Sequence, residues 1–286
     1  MRWQRTRRSS NVEDRRRGGG KVGGKGLLGG GIGTIVIALV AMYFGVDPQL
    51  INSLVGGLEG GTASQSTASE PIPTNDPQAQ FVAAVLGDTE TTWHEIFAAN
   101  NARYQEPKLV LFSGAVRSAC GHAQAAMGPF YCPGDKKVYI DLSFFRDLAN
   151  KYQAPGDFAQ AYVIAHEVGH HIQTLLGISS RVHMQKQQVS KTQANALSVK
   201  QELQADCFAG VWAHYAKNKR DLLEPGDLEE GLKAASAVGD DRLQKQAQGY
   251  VVPESFTHGS SEQRMQWFQV GFKAGDLNRC DTFTKM

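Results

Sequence analysis

Phe158-Ala159-Gln160-Ala161-Tyr162-Val163-Ile164-Ala165-His166-Glu167-Val168-Gly169-His170-His171-Ile172-Gln173-Thr174-Leu175-Leu176 is the run from which the rest of the chain can be read. Its apolar residues recur at helical spacing and Gly177 is a natural stop, so the pattern predicts a helix over about 158–176. Within it, His166-Glu167-Val168-Gly169-His170 is an H-E-x-x-H sequence. Four residues of α-helix turn about 400°, so His166 and His170 project from one face, where two imidazoles can grip one metal ion. Glu167 sits about 100° round, close enough to touch a water on that metal without ligating it. Val163, Ile164, Ala165 and Val168 surround the motif, as they would on a helix set into a core. His171 points about 100° away from His170 and is read as a packing or supporting residue.

A catalytic zinc takes three protein ligands and a water. The next helical pattern, about 192–218, carries Glu202-Leu203-Gln204-Ala205-Asp206, with Glu202 and Asp206 on one face. Glu202 is the candidate third ligand, and Asp206 is placed to accept a hydrogen bond from a ligand imidazole. An E-x-x-x-D pair by itself is usually a solvated helix face. Here Ala205, Cys207, Phe208, Ala209 and Trp212 surround it, and two carboxylates among apolar neighbours need a partner. Zinc acidifies a water, and Glu167 is then the general base that takes the proton.

Before this pair, an Asp-Pro start opens a helix from Asp76 to Asn100, and Lys108–Phe112 and Lys137–Leu142 read as strands. After it come helical patterns at about 227–247 and 260–274. One α+β domain, mostly helical with a small sheet, is expected over 77–286. Lys137–Leu142 lies where an edge strand could pair with an extended peptide, although alternation alone does not distinguish an edge from an internal strand. His94, His122, His183 and His214 are scattered and read as surface or satisfied-core residues.

The chain's formal charge of +2 hides a division. Nine basic residues, Arg2 through Lys25, face only Glu13 and Asp14, so the first 25 residues carry about +7 and the remainder about −5. A nucleic-acid arm would be the reading if that head stood alone. It is followed at 26–46 by an uncharged apolar run long enough to cross a bilayer as a helix of about 20 residues. No small-x-small cleavage site follows, so the run is expected to remain as an anchor. The positive-inside bias puts 1–25 in the cytoplasm and the domain outside it, beyond a Gly/Ser/Thr/Pro linker at 47–76. The expected arrangement is a domain held outside the cytoplasm by a single-pass membrane anchor, with no nucleic-acid partner. Four cysteines allow three pairings or four free thiols; Cys120 and Cys132, close in sequence, favour a local staple, leaving Cys207 for Cys280.

His166 to His171, together with Glu202 to Gly210, resembles the bacterial family described as putative neutral zinc metallopeptidases, membrane-anchored and of the gluzincin type. The resemblance extends to Met1-Arg2-Trp3, Asn11 to Arg16, Gly128 to Pro133 and Gly239 to Arg242. It implies a zincin-like domain with His166, His170 and Glu202 as zinc ligands and Glu167 as catalytic base. His258, with Thr257, Gly259 and Arg264, resembles the His-Pro and later Arg of other membrane gluzincins, Gly259 standing for the Pro. His258 is thereby a candidate to stabilise the developing oxyanion, set against helix capping or simple exposure. The expected function is hydrolysis of peptides or proteins. A turnover-free zinc scaffold and hydrolysis of a non-peptide amide are the competing readings, and Glu167 argues against the scaffold.

Overall fold

The computed structural model describes residues 1–16 and 72–284. No helix among them is long and apolar enough to cross a membrane. The run expected to span at 26–46 and the linker up to residue 71 lie outside the described residues.

In chain order the described elements begin with β1 (Val12–Asp14) and α1 (Pro77–Ala99). The strands β2 (Lys108–Phe112), β3 (Ala115–Ser118), β4 (Gly121–Gln124), β5 (Phe130–Cys132) and β6 (Lys137–Asp141) follow. Helices complete the fold: α2 (Ser143–Asn150), α3 (Asp157–Leu175), α4 (Ile178–Lys186), α5 (Lys191–Asn218), α6 (Asp227–Ala237), α7 (Asp240–Gln248) and α8 (Ser261–Ala274). This is the expected α+β class, mostly helical with a small sheet. Asp76 caps α1 through the Ala79 amide, with Pro77 at its first position. Gly177 ends α3 at φ +70°, a conformation that favours glycine.

The sheet runs β1-β2-β6-β5, with β3 and β4 as a separate hairpin. Alternation along the central strands divides two cores. Leu109, Leu111, Val138 and Ile140 face the helices, while Val110, Phe112 and Tyr139 pack with Val116, Ala123 and Cys132 beneath the hairpin. Because β6 is covered on both faces, its alternation gave no sign of its neighbours. It lies inside the sheet, paired with β2 and β5, so of the two readings left open by the sequence the internal strand holds, and the edge is β5, antiparallel to β6. The helix expected over 227–247 is two helices. At the break, a Cβ on Gly239 would lie 2.4 Å from the Ser261 amide nitrogen, so α8 approaches there too closely for a side chain.

The basic head is a second correction. Met1–Arg16 belongs to the same compact unit as the chain from Ser69 onward and is not a separate segment. β1 pairs in parallel with β2, Val12 opposite Leu109. The buried carboxylate of Glu90 accepts from Arg7 at 2.6 Å, Ser9 at 2.6 Å and Asn11 at 2.9 Å. Arg16 bridges Asp14 and Asp76, and Lys137 lies 3.0 Å from Glu13. Counting charge registers the surplus of cations but not the carboxylates that fold against them. A single membrane crossing at 26–46 would put Val12 and Leu109 on opposite sides of a bilayer, so it and this pairing exclude each other.

Candidate metal centre

The site depends on how near α3 comes to α5. A Cβ on Gly169 would meet the Ala205 carbonyl oxygen at 2.9 Å and its Cα at 3.1 Å, so the glycine inside the H-E-x-x-H sequence is what lets the helices touch. This contact sets His166 and His170 facing Glu202. His166 Nε2 lies 3.2 Å from His170 Nε2 and 3.2 Å from Glu202 Oε2, and His170 Nε2 lies 3.4 Å from Glu202 Oε1. Ligands at about 2.0–2.1 Å from a tetrahedral zinc are spaced about 3.3 Å apart. The three donors therefore fit that ion in spacing and in chemistry, two imidazoles and one carboxylate.

Both imidazoles are held with Nε2 toward this point. His166 Nδ1 donates to Asp206 Oδ1 at 2.8 Å, and His170 Nδ1 donates to Gln173 Oε1 at 2.9 Å. Asp206, fully buried, also accepts from Tyr162 Oη at 2.5 Å and from Arg264 Nε at 2.8 Å. Arg264 is itself buried and reaches the Tyr162 hydroxyl at 3.2 Å. Burial opposes charge on Asp206, but the Arg264 guanidinium and His166 outweigh it and hold the carboxyl below its usual range. Burial would likewise lower His166; the carboxylates of Asp206 and Glu202 prevail and raise it to about 10. This carboxylate-rich pocket attracts a cation, whether proton or metal.

Glu167 lines the cleft beside the three donors and is 8% exposed. Burial raises its carboxyl pKa, against the pull of His166 and His170. The cleft is about 520 Å³, within the range of about 300–1,000 Å³ common for binding sites. His258 reaches the same cleft on a loop built around Asp240, whose Oδ2 accepts from the amides of Thr257, His258 and Gly259 at 2.7, 2.6 and 3.1 Å. Asp240 Oδ1 accepts from His258 Nδ1 at 3.1 Å. Burial would lower the His258 pKa, but its bond to Asp240 raises it. His171 makes no contact with the donor triangle. Fully buried, it accepts from Tyr131 Oη on β5 at 3.0 Å and donates to the Gln105 carbonyl at 2.6 Å.

The residues named from the sequence as site candidates thus lie at one place: His166, Glu167, His170, Glu202, Asp206 and His258. Tyr162, Gln173, Arg264 as partner of Asp206, and Asp240 as the support of His258 were not identified. For two of these a signal existed. Tyr162 lies four residues before His166 and Gln173 three after His170, spacings that share a helix face. Arg264 and Asp240 come from other elements, and no spacing announces them. The disulfides are Cys120–Cys132 and Cys207–Cys280, the favoured pairing.

A family model described as “Putative neutral zinc metallopeptidase” matches residues 1–283. The chain is 51% identical over 292 residues to “Uncharacterized protein YpfJ” of Escherichia coli (strain K12), across 100% of this chain and 99% of that protein. It is 40% identical over 269 residues to “Uncharacterized protein Rv2575” of Mycobacterium tuberculosis (strain H37Rv), across 85% of each. No solved structure matches. With a zinc-sized triangle of donors and a match over nearly its whole length, the chain belongs to the putative neutral zinc metallopeptidase family, whose cofactor is zinc.

Proposed function

We propose that this protein hydrolyses peptide bonds, with zinc held by His166, His170 and Glu202 and with Glu167 as general base. The observation that carries the proposal is the donor triangle with 3.2–3.4 Å sides, set beside buried Glu167 in an open cleft. When bound, zinc supplies a Lewis acid for the scissile carbonyl and lowers the pKa of a water. Glu167 takes that water's proton and returns it to the leaving amine, a role suited to a carboxylate whose pKa burial has raised. His258, held by Asp240 through Nδ1, keeps Nε2 to donate to the carbonyl oxygen as its charge grows. The free edge of β5 lines the same cleft, and an extended peptide could add there as a further strand. This reading corresponds to a zincin-like domain of the gluzincin type.

A zinc-stabilised scaffold has no use for a base at Glu167, whereas hydrolysis requires one. The test compares wild-type protein with Glu167→Gln, both full-length and supplied with zinc, on a mixed peptide library. Zinc content and melting temperature should match, and cleavage should fall on the order of 10²- to 10⁴-fold. Equal cleavage by both would remove Glu167 from the mechanism. No cleavage by either would favour the scaffold.

Location is part of the proposal. Two disulfides favour an oxidising compartment outside the cytoplasm, and the apolar run at 26–46 favours attachment to a membrane. The attachment proposed keeps residues 1–16 on the same side as the domain.

A further inference from the structure

The lining of the cleft is chemically divided by element. Ser179, Ser198 and Gln201, from α4 and α5, supply polar groups beyond the C-terminal end of the catalytic helix. Apolar groups come from elsewhere. Val163 lies four residues before Glu167, hence one turn along the same face of α3. Phe144 and Tyr152, ring centroids 6.2 Å apart, come from α2 and the segment leading into α3, and both are half-buried. The turn before β5 lies against them: a Cβ on Gly128 would be 3.5 Å from the Phe144 ring. Met127, on that same turn, is 58% exposed and lines the cleft.

We infer that Met127, Phe144, Tyr152 and Val163 form a subsite for a large apolar side chain of an extended peptide, next to the scissile bond. This rests on the proposed peptidase reading and specifies its substrate class. Three features of the cleft favour a peptide side chain as the occupant. The apolar groups line the same cleft as the metal centre, and Val163 shares one helix face with His166, Glu167 and His170. It is also continuous with the free edge of β5, which sets a paired strand's side chains alternately toward and away from the patch. Finally, the aromatic rings stay partly open to the cleft although the main core packs against them. Burying a large aliphatic or aromatic side chain that would otherwise remain in water is worth on the order of 10- to 100-fold in affinity.

Two measurements separate this inference from the peptidase reading. The first uses full-length, zinc-supplied Glu167→Gln protein and fluorescent extended peptides that differ at one position, Phe or Leu against Ser or Glu. Fluorescence anisotropy should show the apolar peptides bound at least about 10-fold more tightly. Met127→Glu and Tyr152→Ser should each shrink that preference while zinc content and melting temperature hold. The second maps cleavage sites made by wild-type protein in the mixed library, where Phe, Leu and Met should be enriched beside the cut. Phe and Ser peptides binding alike, no peptide binding at all, or cleavage without that enrichment would each overturn the subsite. Apolar-dependent binding with no cleavage by wild-type protein would keep the subsite and reject the peptidase.

Discussion

His171 shows how one residue of the H-E-x-x-H helix can support the site from outside the donor triangle. It is fully buried, and burial pushes its pKa down to about 4 from an ordinary 6.5. In the fold it is therefore neutral, accepting from Tyr131 and donating to Gln105. Because the folded pKa lies below the unfolded one, the unfolded chain binds a proton first as pH falls. The stability His171 contributes is complete above about pH 6.5 and declines toward about pH 4, by on the order of 3 kcal/mol in all. His171→Asn removes that titration. Between pH 7 and pH 5 the melting temperature of wild-type protein should fall further than that of the variant, whichever is more stable at pH 7. Since metal ligands titrate in both proteins, only the difference is diagnostic, and parallel melting curves would show that His171 is not the group responsible.

At the level of the element, helix contacts set by glycine hold the centre together. Gly169 brings α3 onto α5, and Gly210 and Gly271 let α5 and α8 meet, a Cβ on Gly210 falling 2.1 Å from the Phe268 carbonyl oxygen. The first contact aligns the histidines with Glu202; the second carries Arg264 to Asp206. Gly169→Ala improves helix propensity slightly, so propensity alone would stabilise. The 2.9 Å approach to Ala205 dominates instead, and overpacking of this kind costs about 1–3 kcal/mol. The expected result is a lower melting temperature together with weaker zinc retention in chelator competition. An alanine variant that keeps zinc as tightly as wild type would mean that the two helices can separate without disturbing the ligands. The periodicity of α1, α3 and α5 was legible because each buries a broad face, and that of α8 because its fourteen residues keep a steady stripe through Arg264, Phe268 and Gly271. The short elements α2, α4, β1, β3, β4 and β5 were not identified, since three to nine residues carry too little period to separate them from loops.

For the whole molecule, the consequential feature is that residues 1–16 complete the domain. A fragment beginning near residue 76 would lack β1, expose one edge of β2 and leave buried Glu90 without Arg7, Ser9 and Asn11. An uncompensated buried charge is costly. Deleting residues 1–16 should therefore lower the melting temperature substantially or prevent folding, and activity assays need the full chain. Reporter fusions at the N terminus and at Ser64 should read the same side of the membrane. Opposite sides would mean that the apolar run at 26–46 crosses once and that β1 is not paired in the cell. An unchanged melting temperature after the deletion would weaken the pairing independently.

The sequence by itself determined the H-E-x-x-H helix, the shared face of His166 and His170 and the α+β class, because helical spacing converts residue number directly into direction. It also carried the cysteine pairing that was favoured, through the short separation of Cys120 and Cys132. Only the tertiary structure decided what completes the centre. Arg264 lies 58 residues from Asp206 and Asp240 lies 18 from His258, so their contacts depend on helix packing and on a loop closing over a carboxylate. The same holds for the N-terminal head. Its arginines are visible as charge in any reading of the chain, but whether they face lipid, nucleic acid or Glu90 depends on which surface the fold brings to them, since electrostatic attraction depends on distance and burial and not on composition.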